Sequence, residues 1–234
     1  MRTIITIPAI IAISFLAGCA ATTPTADIPE PNRERIEWCD IWITNANQND
    51  LPRVLMIGDS ITRGYFPHVE AQLKETANCA RYTTSRDLAD PVFYDELTLV
   101  LKQYPYAVIH FNNGLHGRPS TEAEYAAAFP RMLETLEKYA PQARLIWATS
   151  TPVQPTGAFA DFVDRVPARN KIAAEHIAAS DKPIAINDLN ALITGHPEYF
   201  LPDGVHYTNE ARKLQAEQVA RAITAQLPKH KSAD

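Results

Sequence analysis

The sequence predicts an α/β fold, a three-layer α/β/α sandwich around a five-stranded parallel sheet. Three observations predict it. Short apolar runs alternate with amphipathic stretches five times between Arg53 and Gln226, the pattern of repeated strand–helix units. The runs are near-continuous rather than alternating, as in strands covered on both faces. Turn-forming and polar residues gather where the runs end, at Gly58-Asp59-Ser60, Asn112-Asn113 and Ser150-Thr151. In a parallel sheet the ligand crevice lies beyond the strand C-termini.

Each element has its own signal. "RIEWCDIWITNA" (Arg35–Ala46) carries Ile36, Trp38, Ile41 and Trp42 and reads as an N-terminal helix on the outside of the domain. "RVLMIG" (Arg53–Gly58) is short, apolar and followed by turn chemistry, hence a buried strand. A helix over Gly64–Thr76 and a second strand over Ala80–Thr84 follow. Val92–Lys102 has apolar spacing of three and four, a helix. "YAVIHF" (Tyr106–Phe111) is the third strand. Thr121–Tyr139 is a helix with Ser120 as its N-cap and Pro141 past its end. "ARLIWATS" (Ala143–Ser150) is the fourth strand. A Pro-containing loop leads to a helix over Ala168–Ala179, where Arg169-Asn170 help to anchor that loop. "KPIAIND" (Lys182–Asp188) is the fifth strand, and Asn209–Gln226 is the closing helix.

The chain has 234 residues, 46% hydrophobic and 21% charged, which suits a single domain with a sizeable core. A net charge of −5 argues against a nucleic-acid partner. No His/Cys pair has zinc spacing and no calcium loop or phosphate-cradling glycine motif is present, so neither metal nor cofactor is expected.

The first residues, "MRTIITIPAIIAISFLAGCA", read as a secretory signal. Leu16-Ala17-Gly18-Cys19 resembles a bacterial lipobox, which implies cleavage after Gly18 and lipidation of Cys19. With Ala20 rather than Asp next, the resemblance implies the outer membrane, on its periplasmic side or at the cell surface, the lipid being the only membrane contact. The expected boundaries are therefore a signal over 1–18, a Pro- and Thr-rich tether over 19–34 and one domain over 35–234. Export into an oxidising compartment lets Cys39 and Cys79 pair, and the disulfide is the favoured reading.

Two segments carry chemistry. Ser60 stands at a strand-to-helix turn, where a helix N-terminus favours developing negative charge, although Ser is also a common N-cap. Near the C-terminus, "LPDGVHYTNEA" sets Asp203 and His206 three apart just before a helix. A hydroxyl nucleophile needs a base, and the base needs an orienting carboxylate. Asp-x-x-His on a loop can supply both.

With "GDSIT" (Gly58–Thr62) and "DGVH" (Asp203–His206) in that order, the chain resembles the GDSL-type esterases of the SGNH hydrolase superfamily over Arg53–Leu227. The resemblance implies Ser60 as nucleophile, His206 as general base and Asp203 as its orienting acid. It implies three oxyanion donors. The first is the Ser60 N–H. The second is a backbone N–H after the second predicted strand, where "YTTSRD" lacks the family's glycine and offers Ser85 or Thr84. The third is an Asn in "HFNNGLHG", where Asn112 is preferred and Asn113 is the alternative. Substrate contacts are expected from Asp59, Asn113, His116 and Thr151. His110 is read as structural. The implied reaction is hydrolysis of short, acetyl-type esters on small molecules or acetylated glycans. Alternatives are a lysophospholipase or thioesterase-like enzyme, or a glycan-binding lipoprotein without activity.

Overall fold

A computed structural model of the chain describes residues 33–228, which fall within one unit. The signal, Cys19 and nearly all of the tether lie outside the described residues.

Six strands form one sheet: β1 (Cys39–Ile43), β2 (Arg53–Gly58), β3 (Asn78–Thr84), β4 (Val108–Phe111), β5 (Arg144–Ala148) and β6 (Ile184–Asn187). Their order is β1-β3-β2-β4-β5-β6. The five predicted strands pair in parallel, and β1 adds an antiparallel edge to β3. The helices are α1 (Ser60–Leu73), α2 (Pro91–Leu101), α3 (Glu122–Tyr139), α4 (Arg165–Ala178), the short α5 (Leu189–Ile193) and α6 (Asn209–Gln226).

Strand periodicity builds two cores. Val54 and Met56 of β2, with Val108, Ile146 and Ala148, face a layer holding Phe66 and Val69 of α1, Ile193 of α5 and Val219 of α6. Leu55, Ile57, Ile109, Phe111 and Trp147 face the other layer, with Leu97 of α2, Phe129 of α3 and Ala173 of α4. Successive strand residues point to opposite faces, so near-continuous apolar strands are what a doubly covered sheet requires.

Three expectations are corrected. The N-terminal segment is not a helix. Ile41 and Ile43 pack on the core, while Asp40 and Trp42 meet Arg81 on the other side. Over so few residues the alternation resembles helical spacing, and pairing with a strand nearly 40 positions away decides it. The disulfide is also absent, since both cysteines are free. Cys39 pairs in register with Thr84, at the far end of β3 from Cys79. At about 3.3 Å per residue the two lie well beyond the ~7 Å that a disulfide can bridge. Finally, α3 is capped by Thr121, not Ser120. Its hydroxyl accepts the Glu124 N–H while Glu124 reaches back, a capping box.

After β2 the chain places β3 on one side of that strand and β4 on the other. The C-terminal end of β2 is therefore the topological switch point of the sheet, where crevices form. Ser60 follows it directly.

Candidate active site

Ser60 is the first residue of α1, and Asp59 is the N-cap, its carboxylate accepting the Ile61 N–H at 2.8 Å. At the first helical position the Ser60 N–H has no intrahelical acceptor. The turn is tight: a Cβ on Gly58 would come within 2.2 Å of the Thr62 hydroxyl.

From the other end of the chain, the loop before α6 brings His206. Its Nε2 lies 2.9 Å from Ser60 Oγ, and its Nδ1 lies 2.8 Å from Asp203 Oδ2. The other carboxylate oxygen of Asp203 accepts the N–H groups of Val205 and His206 at 3.0 and 2.9 Å. The carboxylate is thus bonded at both oxygens. Burial alone would raise the Asp203 pKa. The backbone N–H groups of His206 and Val205, and then the imidazole, outweigh it and hold the carboxyl below its ordinary value. With Asp203 ionised, Nδ1 carries the hydrogen and Nε2 faces the serine as an acceptor.

The loop geometry has local causes. Leu201 N–H donates to the His206 carbonyl, and the Tyr207 hydroxyl donates to Pro152 O. Gly157, at φ +112°, lies so close that a Cβ would come within 2.4 Å of the Asp203 carbonyl oxygen. The position needs glycine for both conformation and space.

The two asparagines part company. Asn112 donates its amide to Ala148 O at 2.7 Å and Ser150 Oγ at 3.1 Å, toward the end of β5. Both amide hydrogens are then engaged, facing away from β2. Asn113 donates to Arg86 O at 2.9 Å. Arg86 follows β3, so this amide spans the end of β2, where Ser60 stands, and keeps its second hydrogen. Its Oδ1 is buried without a partner. The preference for Asn112 as a donor toward Ser60 does not fit this bonding.

Ser85 does not fit its expected role either. Its N–H donates to Trp38 O at 3.1 Å and its hydroxyl to Glu37 at 2.6 Å, so it holds the N-terminal segment. Thr84 likewise turns its hydroxyl to Trp38 O. Thr151 lines a cavity of about 10 Å³ with Asn112, Thr62, Tyr65 and Leu189, room for roughly one water. His116 is buried on the loop after β4, its Nδ1 3.2 Å from Glu34. His110 is fully buried with Asn187 Nδ2 at 3.0 Å from its Nε2, a structural role as expected.

Arg169 and Asn170 do more than the sequence suggested. The Arg169 side chain is fully buried, and its guanidinium donates to the carbonyls of Gly114, His116 and Gly117. Asn170 both accepts from Ser150 N–H and donates to Ser150 O. One helix turn therefore holds the loops after β4 and β5. The adjacent polar pair at a helix start was the visible signal. Glu34, by contrast, had none, standing in a segment read as tether.

A hollow of about 780 Å³ beside Leu133, Glu137, Pro141, Lys182 and Ile184 lies at the opposite end of the sheet from Ser60. No group of three or more metal-ligating side chains occurs among the described residues.

No protein-family model and no curated protein matches the sequence. Solved structures do. An aryl esterase of M. smegmatis superposes with a TM-score of 0.63 at 14% identity, over 75% of this chain and 100% of that one. A carbohydrate acetylesterase family member from Sinorhizobium meliloti gives 0.61 at 18% identity, over 76% and 99%. A carbohydrate esterase family 3 protein from Talaromyces cellulolyticus gives 0.61 at 13% identity, over 75% and 97%. The chain has the fold of the SGNH hydrolases. In this SGNH-hydrolase fold β1 is an antiparallel addition beside the five parallel strands, and the Ser60–His206–Asp203 chain of hydrogen bonds sits at the switch point of the sheet.

Proposed function

We propose that the protein is a serine carboxylic-ester hydrolase acting through an acyl-enzyme. One observation carries the reading: a hydroxyl, an imidazole and a carboxylate joined at 2.9 and 2.8 Å at the mouth of the sheet. Ser60 Oγ attacks the ester carbonyl carbon while His206 Nε2 takes its proton. Asp203 stabilises the resulting imidazolium. The negative oxygen of the tetrahedral intermediate is met by the Ser60 N–H and the free amide hydrogen of Asn113. One such donor is worth about 3 kcal/mol of transition-state stabilisation. The imidazolium returns its proton to the departing alcohol. Water then attacks the acyl-serine, gives its proton to His206, and the acid leaves as Ser60 Oγ is reprotonated.

The proposed substrates are short acyl esters, acetyl first, on carbohydrates or small molecules. Several neighbours of the same fold are described as acetyl or carbohydrate esterases, which supports a short acyl group. The proposal extends to an exported protein held to the outer membrane by a lipid on Cys19, residues outside those described. Acetate release from acetylated xylan, beside a series of nitrophenyl esters from acetate to octanoate, tests the substrate. The reading expects acetate to be preferred. A preference for octanoate overturns the short-acyl assignment in favour of a lipid esterase.

A further inference from the structure

The segment Arg33–Trp38 runs as a strap across the loops that border Ser60. Glu34 is its clasp. One carboxylate oxygen accepts the N–H groups of Gly117 and Arg118 at 3.0 and 3.3 Å, and the other lies 3.2 Å from His116 Nδ1. Glu37 closes the strap on Ser85, and the Trp38 N–H donates to the same hydroxyl at 2.8 Å.

His116 is consequently fixed from three sides. Arg169 holds its carbonyl and Glu34 holds Nδ1. Trp38 and Phe159 meet its ring edge to face, at 5.9 and 6.1 Å between centroids. Its Nε2 makes no hydrogen bond among the described residues and is not sealed from solvent. Two links tie this ring to the turn that carries the nucleophile. The Asp59 carboxylate, next to Ser60, lies close enough to act on its charge. Arg63, in the first turn of α1, covers Trp38 at 4.8 Å.

The surroundings limit the ligand. Glu34, Glu37 and Asp59 all raise the His116 pKa against the effect of burial. Three carboxylates around one imidazole disfavour an anionic ligand. With Nδ1 committed to Glu34, Nε2 donates when the ring is protonated and accepts when it is neutral. A hydroxyl is the group that can meet both forms. If the acyl group is short, the hydroxyl belongs to the alcohol portion of the ester.

We propose that His116, oriented by Glu34 of the strap, forms a subsite beside Ser60 that binds a free hydroxyl on the alcohol portion of the ester, as in a partly acetylated sugar. The inference rests on the esterase reading above. His116 is the contact, and Glu34 is a positioning residue acting through it.

The test compares a mono-O-acetylated methyl xyloside, which carries free hydroxyls, with 4-nitrophenyl acetate, which carries none. The readout is the ratio of the two kcat/KM values. His116→Phe keeps the ring between Trp38 and Phe159 but removes both nitrogens. Glu34→Ala frees the imidazole, whereas Glu34→Gln keeps an acceptor for the loop N–H groups and a partner for Nδ1. The ratio is expected to fall about tenfold or more in His116→Phe and Glu34→Ala, mainly through KM for the xyloside, and to recover in Glu34→Gln. If His116→Phe does not fold, Glu34→Ala carries the test. A ratio within twofold of wild type, or a wild type that cleaves only the aryl ester, overturns the subsite. Fluorophosphonate labelling separates the two readings. A labelled Ser60 with an unchanged ratio sinks the subsite alone, and an unlabelled Ser60 in the wild type sinks the esterase reading and the subsite together.

Discussion

Ser60 Oγ and His206 Nε2 stand 2.9 Å apart although 146 positions separate them in the chain. Helix packing produces the contact. Ser60 opens α1, and His206 lies just before α6, which packs on α1 within one core. His68 meets Asn209 at 3.0 Å between the two helices, and Gly64 leaves room for Arg212.

Asp203→Asn should disable the base while leaving its place intact. The side-chain oxygen can still accept the Val205 and His206 N–H groups, but an amide then faces Nδ1 and donates to it. The hydrogen is forced onto Nε2, which can no longer accept from Ser60. A fall in kcat of about 10³–10⁴-fold is expected, with Tm nearly unchanged by thermal scanning. A variant with wild-type kcat would remove Asp203 from the mechanism.

Gly157→Ala should lower activity by moving the loop that carries Asp203. The new Cβ meets the Asp203 carbonyl oxygen at 2.4 Å, at a φ of +112° that alanine rarely adopts. The loop must shift, and a displacement near 1 Å costs about 10²-fold in rate. Steady-state kinetics should show that loss with KM little changed.

His110 should make the fold acid-sensitive. Burial lowers its folded-state pKa to about 3. The unfolded value is about 6.5. Between the two the unfolded chain binds the extra proton, so stability is complete above pH ~6.5 and declines as pH falls toward 3, by at most about 1.4 kcal/mol per unit. Urea unfolding at pH 7 and 4.5 should show wild type losing about 2 kcal/mol more than His110→Gln. Equal losses would mean that His110 does not titrate in this way.

Arg169→Met should destabilise by about 3 kcal/mol or more, because three buried carbonyls lose a charged donor. Denaturant titration measures it. A change below about 0.5 kcal/mol would show that the loop carbonyls find other partners.

The layered fold was legible because most of the parallel strands are near-continuous apolar runs and their exits are marked by turn residues. Ser60, Asp203 and His206 were legible because residue type, local turn chemistry and chain order agree. What escaped depends on pairing over distance. β1 is too short for its alternation to declare itself, and its partner β3 lies some 40 positions on. Ser85 was read as facing the site, but Trp38 captures its N–H. Asn112 and Asn113 are chemically identical, and only the direction of each amide, toward β5 or across β2, distinguishes them. Glu34 stands in a stretch whose composition says tether, and its work is visible only once the loop after β4 is beside it.

The most direct measurement is hydrolysis of 4-nitrophenyl acetate by the wild type beside Ser60→Ala, with both folds checked by circular dichroism and thermal melting. The account predicts turnover by the wild type, a loss of at least about 10³-fold in the variant, and matching spectra. Wild-type turnover that survives in a folded Ser60→Ala, or a folded wild type with none, would contradict it.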